Sequence, residues 1–136
     1  MNNTISPVNF KANLSINPSL QRRIFNKNID FQVVEKEFKE ATKKFDTTLV
    51  IEYMGKAFGV IANEERSDFK NTILTNLKFK NISDNKTLTD KLVRLLKIIC
   101  TLNDSKKDDL DFYKTKALKL AGDDIDLFNA INNANF

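Results

Sequence analysis

The stretch TTLVIEYMGKAFGVIA, residues 47–62, decides the fold of this chain. Its two halves, 47–53 and 56–62, are rich in β-branched and aromatic residues, which favour strands. Between them stands Met54-Gly55, and a glycine between two such segments is typical of a hairpin turn. The stretch therefore predicts a β-hairpin.

The hairpin also predicts which residues face each other. With Met54-Gly55 as a two-residue loop, Ile51 pairs with Phe58, so the two strands share one apolar face. Gly59 falls on the other face. A glycine inside a strand indicates that a neighbouring group approaches the backbone closely.

A third strand is predicted upstream of the hairpin. Apolar and polar residues alternate from Phe10 to Ile16, a period of two that places the apolar side chains on one face. The pair Asn17-Pro18 follows, and proline after an asparagine cap is a helix start, which predicts a short helix over 19–27. The first strand could pair parallel to one hairpin strand or antiparallel to the other.

The next helix has the clearest periodicity in the chain. Asp30 is suited to cap its first turn, and apolar residues then recur at spacings of three and four. These residues are Phe31, Val34, Phe38, Ala41 and Phe45. The opposite face mixes lysines and glutamates, which is typical of a surface in contact with water.

The chain after the hairpin reads as helical. A helix opening at Asn63 or Ser67 is predicted to bury Phe69, Ile73, Leu74 and Leu77. Thr87 and Asp90 have the spacing of a capping box in front of the most apolar helix, which we expect at the centre of the core. Its apolar residues are Leu88, Leu92, Leu95, Leu96, Ile99 and Leu102.

Two more helices are predicted near the end of the sequence. Ser105 and Asp108 repeat the capping spacing, and Gly122 is placed to end that helix in a left-handed turn. Its apolar residues are Leu110, Tyr113, Ala117 and Leu120. The last helix, capped by Asp123 or Asp124, is predicted to bury Ile125, Phe128 and Ile131.

These elements predict an α+β fold in one domain covering residues 1–136. A small three-stranded sheet, made of the N-terminal strand and the hairpin, packs against a cluster of five to six helices. Residues 1–8 are expected to form a flexible arm, 9–62 the part with strand, helices and hairpin, and 63–136 the helical part. A chain of this length can bury one core.

Composition excludes many kinds of chemistry. The chain has no His, which removes imidazole from proton transfer, nucleophile activation and zinc binding. Glycine occurs only at 55, 59 and 122, so no glycine-rich phosphate loop exists and we expect no cofactor. Cys100 is the single cysteine, surrounded by apolar residues, which predicts a buried, unreactive thiol in a reducing compartment.

Carboxylates offer two weaker candidates for chemistry. Asp108, Asp109 and Asp111 form one cluster, and a second contains Asp123, Asp124 and Asp126. Both fall in predicted first helical turns, where carboxylates cap free N–H groups, and neither has the spacing of a calcium loop, so capping is favoured over metal binding. Asp46, Glu52 and Tyr53 could supply an acid and a base only if a cleft brought them together.

Positive charge is concentrated in the third quarter of the chain. The whole sequence has a net charge of +4, whereas residues 66–103 alone carry +5. The candidate basic binding surface consists of Lys78, Lys80, Lys86, Lys91, Arg94 and Lys97. Such a group could neutralise phosphates, with Arg22 and Arg23 adding to it, although a solvated strip on a buried helix explains the same residues.

Three functions follow from these observations, in order of preference. The first is a small non-catalytic protein-interaction or regulatory module whose partner is another protein, with the N-terminal strand available at a sheet edge. The second is a nucleic-acid-associated protein using the basic surface, and the third an enzyme with a carboxylate-based site. No segment has the pattern of a signal peptide or a membrane span, so we expect a cytoplasmic protein without membrane partners; the sequence leaves homo-oligomerisation open. The richness in Asn and Lys indicates an AT-rich genome rather than a function.

Overall fold

A computed structural model describes residues 12–55, 57–63, 72–105 and 109–134. The fold is α+β, as predicted. The strands are β1 (Asn13–Ile16), β2 (Thr48–Met54), β3 (Ala57–Asn63) and β4 (Leu74–Thr75). The helices are α1 (Pro18–Ile24), α2 (Phe31–Ala41), α3 (Asn85–Asn103), α4 (Leu110–Ala121) and α5 (Ile125–Asn133).

The predicted hairpin is present, with its turn one residue later than expected. Strand β2 ends at Met54 and β3 begins at Ala57, so Met54 belongs to the strand and not to the predicted Met54-Gly55 loop. Gly55 has a φ of +76°, which suits glycine at the first loop position of a tight hairpin. Ile51 consequently faces Val60 instead of Phe58, a shift of two residues that leaves the apolar face intact.

Within the described residues, the sheet has four strands in the order β1-β2-β3-β4. Strand β1 runs parallel to β2, which settles the alternative that the sequence left open, and both other pairings are antiparallel. The residues of the sheet that face the core, among them Leu14, Leu49 and Val60, are buried together with residues of α2 and α3. Gly59, on the other face, lies against Met54 and Ile73, as the close approach predicted there requires.

Strand β4 corrects the prediction of three strands. The segment around Ile73, Leu74 and Leu77 was expected to be the end of a helix, yet Leu74-Thr75 pairs with β3. Leu74 is fully buried, while Ile73 remains 39% exposed on the opposite face. A helix does not start at Asn63, because Asn63 is the last residue of β3. The alternative start at Ser67 lies outside the described residues.

Side-chain caps set the starts of most helices. Asn17 accepts a hydrogen bond of 2.8 Å from the Ser19 N–H and opens α1 in front of Pro18, as predicted, although α1 ends at Ile24 rather than at residue 27. Asp30 caps α2 in the same way. Asp84, not Thr87, caps α3, because its carboxylate accepts bonds from both the N–H and the hydroxyl of Thr87.

Helix α3 is the central helix, as expected from its apolar sequence. Eight of its residues are buried, and it packs against α2, α4 and β3. Helix α4 starts at Leu110 without a side-chain cap bond from Asp109, while the predicted cap partner Asp108 lies outside the described residues. Gly122 ends α4 with a φ of +60°, in agreement with the prediction.

Two predicted helix faces are wrong in part. In α5 the buried residues are Leu127, Ala130 and Ile131, whereas Ile125 is 75% exposed and Phe128 is exposed too. The spacing of 125, 128 and 131 fits a helical stripe, but contact with α4 and β4 selects the neighbouring stripe. In α2, Ala41 is exposed, and the buried residue after Val34 and Phe38 is Thr42, which continues the spacing of four.

The burial of β4 gives a direct test of this topology. We expect Leu74→Ala to lower the free energy of unfolding by about 2–5 kcal/mol, since it removes a fully buried side chain. Ile73→Ala should cost about 1 kcal/mol or less, because Ile73 is exposed on the other face. Urea unfolding followed by circular dichroism measures both. Equal, large losses would instead indicate one buried helical face holding both residues.

Candidate functional site

Lys91 lies at the centre of an ion cluster that links three parts of the fold. Its Nζ is 3.0 Å from both carboxylate oxygens of Asp126 and 3.4 Å from Asp124 Oδ2. It also donates a hydrogen bond of 2.9 Å to the Lys78 carbonyl. Only 10% of the Lys91 side chain is exposed. Lys91 therefore joins α3 to α5 and to the segment after β4, and its charge is neutralised.

The other five residues of the candidate basic surface lie in different surroundings. Arg94 donates to the Ala121 carbonyl at the end of α4, at 3.4 Å. Lys86 and Lys97 are exposed on α3, eleven residues and so about 16 Å apart along the helix axis. Lys78 and Lys80 are exposed on the segment after β4. The structure brings together Lys78 and Lys80, while Lys91 is held by carboxylates.

The two aspartates of the cluster differ in pKa. Burial and a hydrogen bond shared with Asp126 raise the pKa of Asp124. Burial acts in the same direction on Asp126, but hydrogen bonds from Asp124, from the Lys78 N–H at 2.7 Å and from Lys91 outweigh it and lower the pKa of Asp126. Asp124 also caps α5 by accepting from the Leu127 N–H. Both carboxylates are thus occupied by contacts within the protein.

A cleft of about 620 Å³ opens beside this cluster, between β4 and α5. One wall carries Ile73, Thr75 and Asn76. Asn76 has a φ of +66°, a left-handed conformation that asparagine tolerates better than most residues, and it turns the chain away after β4. The other wall is α5, with Asn129 and Asn133 one turn apart on the same face.

The backbone beside β4 presents hydrogen-bonding groups at this wall that pair with no other described strand. In the hairpin, Met54 and Ala57 close a two-residue loop and therefore form a hydrogen-bonded pair, which makes Val60 and its partner Leu74 a bonded pair as well. The N–H and C=O groups of Ile73 and Thr75 then point away from β3. Among the described strands, β4 is the last in its sheet on this side, and both residues line the cleft.

Among the described strands, β1 lies at the opposite edge of the sheet, where the N-terminal strand was expected. This edge is less accessible than expected. Leu14 and Ile16, whose backbone groups point away from β2, are only 3% and 8% exposed, and the Ile16 carbonyl already accepts from the Gln21 side chain. At the other edge, the residues on either side of Leu74 are less buried: Ile73, just before β4, is 39% exposed, and Thr75 is partly exposed.

The remaining sequence candidates do not meet in one place. Glu52 and Tyr53 are exposed and, being consecutive in β2, point to opposite faces of the sheet. The part of the chain that the structure describes contains no group of three or more residues arranged to hold a metal ion, and Asp108 of the first acidic cluster lies outside it. Cys100 is partly buried, with its thiol 3.9 Å from the Thr47 hydroxyl.

No family model matches this chain, and comparisons with curated proteins and with solved structures find no match. Within the described ranges, no helix is both long and apolar enough to cross a membrane. Inferences about function therefore come from the site itself.

Sequence reasoning missed the cleft because it placed β4 in a helix and Ile125 in the core. One signal was available: Asn129 and Asn133, four residues apart in the last predicted helix, mark one polar face of it. The partnership of Lys91 with Asp126, 35 residues later, had no signal in local spacing. In the sequence, Lys91 is explained equally well as part of a solvated strip on α3.

The opposite pKa directions predict that removing the two charges has unequal costs at pH 7. We expect Asp126→Asn to lower the free energy of unfolding at pH 7 by about 1–3 kcal/mol, because charge-assisted hydrogen bonds from Lys91 and Lys78 are lost. Asp124→Asn keeps a capping side chain and removes a carboxylate whose ionised form burial disfavours, so it should cost less at pH 7. Urea unfolding measures both, with exposed Asp46→Asn as control.

The pH dependence follows from the same directions. Asp126 has a lowered folded-state pKa, so its contribution is present above the unfolded value of about 3.9 and is lost as the pH falls through the folded value. The deficit of Asp126→Asn should therefore be constant above about pH 5 and shrink as the pH falls below about 4. The contribution of Asp124 has the reverse sign, being present at low pH and lost as the pH rises through its raised pKa. A deficit independent of pH would contradict the cluster.

Proposed function

We propose that this protein is a non-catalytic interaction module that binds an extended segment of a partner protein in the cleft between β4 and α5. One observation carries the proposal: the outward backbone groups of Ile73 and Thr75, at an edge of the described sheet, open into that cleft. A partner segment laid along β4 would bond to them as a fifth strand, a common mode of peptide recognition.

The walls of the cleft suit such a segment. Asn129 and Asn133 place amide donors and acceptors opposite the strand edge, within reach of side chains or of the backbone of the added strand. Ile73 and Ile125 are exposed apolar residues of the same cleft and can pack on alternate apolar side chains of the segment. A volume of about 620 Å³ lies within the range of natural ligand sites.

Charge favours a partner segment with a basic residue at one end. Asp123 is exposed at the start of α5 and lines the cleft, and Asp124 and Asp126 add a partly compensated negative charge there. Lys78 on the facing wall limits this preference to the α5 side. The proposed ligand is thus an extended peptide with alternating apolar side chains and one Lys or Arg near Asp123.

The same cleft supports an enzyme less well. It does contain two carboxylates with opposite pKa directions, an arrangement that acid–base catalysis uses. Their oxygens, however, accept bonds from Lys91 and from the N–H groups of Lys78 and Leu127. A proton transfer to a substrate would have to break contacts that hold α5 in place, which favours binding over catalysis.

Peptides selected from a random-sequence display library on the purified protein provide the test. We expect Asn133→Ala to weaken a selected peptide about 3- to 10-fold, through the loss of one hydrogen bond. Asn132→Ala is the matched control, since Asn132 is exposed on the same helix but does not line the cleft. Fluorescence anisotropy measures the dissociation constants.

Hydrogen exchange of the protein with and without the selected peptide shows where the peptide binds. The amides of Ile73 and Thr75 should exchange more slowly when the peptide is bound, because strand addition engages them. Equal effects of the two asparagine variants, or protection confined to other parts of the chain, would show that the selected peptides bind elsewhere and that β4 is not the docking edge.

A further inference from the structure

A second concave site, separate from the strand edge of the cleft, carries uncompensated positive charge. We define the basic groove by its lining residues Arg23, Ile24, Phe58, Leu77, Lys78, Phe79, Lys80 and Asn81. It encloses about 300 Å³. Three of its residues are cations, and none is a carboxylate. Within the described ranges, none of the three cations forms an ion pair.

The segment that supplies two of these cations is fixed at two points. Asp126 accepts from the Lys78 N–H at 2.7 Å, and Asn26 donates to the Lys80 carbonyl at 3.0 Å. Between them Phe79 is almost fully buried. Lys78 and Lys80 therefore project outward from an anchored backbone, and their charges stay at the mouth of the groove.

Aromatic rings form a platform beside the third cation. The Arg23 guanidinium lies 5.5 Å from the centre of the Tyr53 ring, and Tyr53 is 48% exposed. Tyr53 pairs across the hairpin with Phe58, which is half-buried in the groove. The Phe58 ring in turn contacts Phe79, with ring centres 5.8 Å apart. The platform thus runs from solvent into the groove.

We propose that the basic groove binds single-stranded nucleic acid. Flat bases stack on aromatic rings and guanidinium groups, which Tyr53, Phe58 and Arg23 offer, while Lys78 and Lys80 neutralise neighbouring phosphates. The bases of a duplex are already stacked on each other and cannot present their faces to the platform. An acidic peptide would match the charge but not the aromatic surface.

This site differs from the surface expected from the sequence. Lys91 is neutralised by Asp126 and Asp124, and Lys97 does not line the groove, whereas Arg23 from α1 does. The proposal is also independent of peptide binding at β4. Lys78 lines both the cleft and the groove, so substitutions of Lys78 would not separate the two and are not used.

Anisotropy of fluorescein-labelled 12-nucleotide oligouridylate and oligothymidylate, titrated with the full chain between 50 and 200 mM salt, provides the test. We expect log K to fall linearly with log salt, by about 0.7 for each phosphate neutralised. Arg23→Ala and Lys80→Ala should each lower this slope by about 0.7. Lys97→Ala, an equal charge change on an exposed helix residue outside the groove, should leave it unchanged.

A variant of the platform separates stacking from charge. Tyr53→Ala should weaken binding about fivefold or more at all salt concentrations. The slope of log K against log salt should stay the same, because Tyr53 carries no charge. Thermal unfolding confirms that each variant is folded. A labelled 12-base-pair duplex and a 12-residue oligoglutamate serve as competitors, and both should compete less well than the single strand.

Several results would overturn the proposal. These are absent or salt-independent binding of both oligonucleotides, an effect of Lys97→Ala equal to that of Arg23→Ala, and oligoglutamate competing as well as the single strand. The last result would identify an acidic protein segment as the ligand of the groove. Loss of peptide binding at β4 would leave these readings unchanged, because none of the variants lies in the wall formed by β4 and α5.

Discussion

The contact of Lys91 with Asp126 determines the geometry of both candidate sites. It fastens α5 to α3, and through the Lys78 N–H and carbonyl it fastens the segment after β4 to both helices. One side of that segment is a wall of the cleft, and the other carries the lysines of the basic groove. With 10% of its side chain exposed, Lys91 needs these partners, since an unpaired charge at such a place is strongly destabilising.

The two edges of the sheet show why edge position alone does not identify a docking strand. Both β1 and β4 are terminal strands among those described. At β1, the residues whose backbone points outward are buried, and one carbonyl already has a side-chain partner. At β4, the corresponding residues, Ile73 and Thr75, line a cleft. Accessibility of the backbone, which depends on what packs beside the strand, decides between them.

Local signals predicted the parts of the fold that depend on neighbours in sequence. Asn17-Pro18 and Asp30 mark helix starts because a cap bonds to N–H groups two or three residues away, and Gly55 marks the hairpin because a tight turn requires positive φ. Strand β4 was missed because two residues are too few to show a period of two, and Ile73 and Leu74 suit a helix equally well. The buried face of α5 was misjudged since two adjacent stripes of that helix are apolar, and contacts with α4 and β4 choose between them.

The distribution of charge depends on distant residues for a related reason: a sum along the sequence ignores compensation in space. The excess in residues 66–103 includes Lys91, which Asp124 and Asp126 neutralise, and Lys86 and Lys97, which lie eleven residues apart on α3. Arg23, from a different quarter of the chain, instead joins Lys78 and Lys80 around the groove. Among the residues lining the groove, these three are the only cations, and none of the lining residues is a carboxylate. Arg23 comes from α1 and the two lysines from the segment after β4, so the charge of the groove is a property of the fold and not of any single segment.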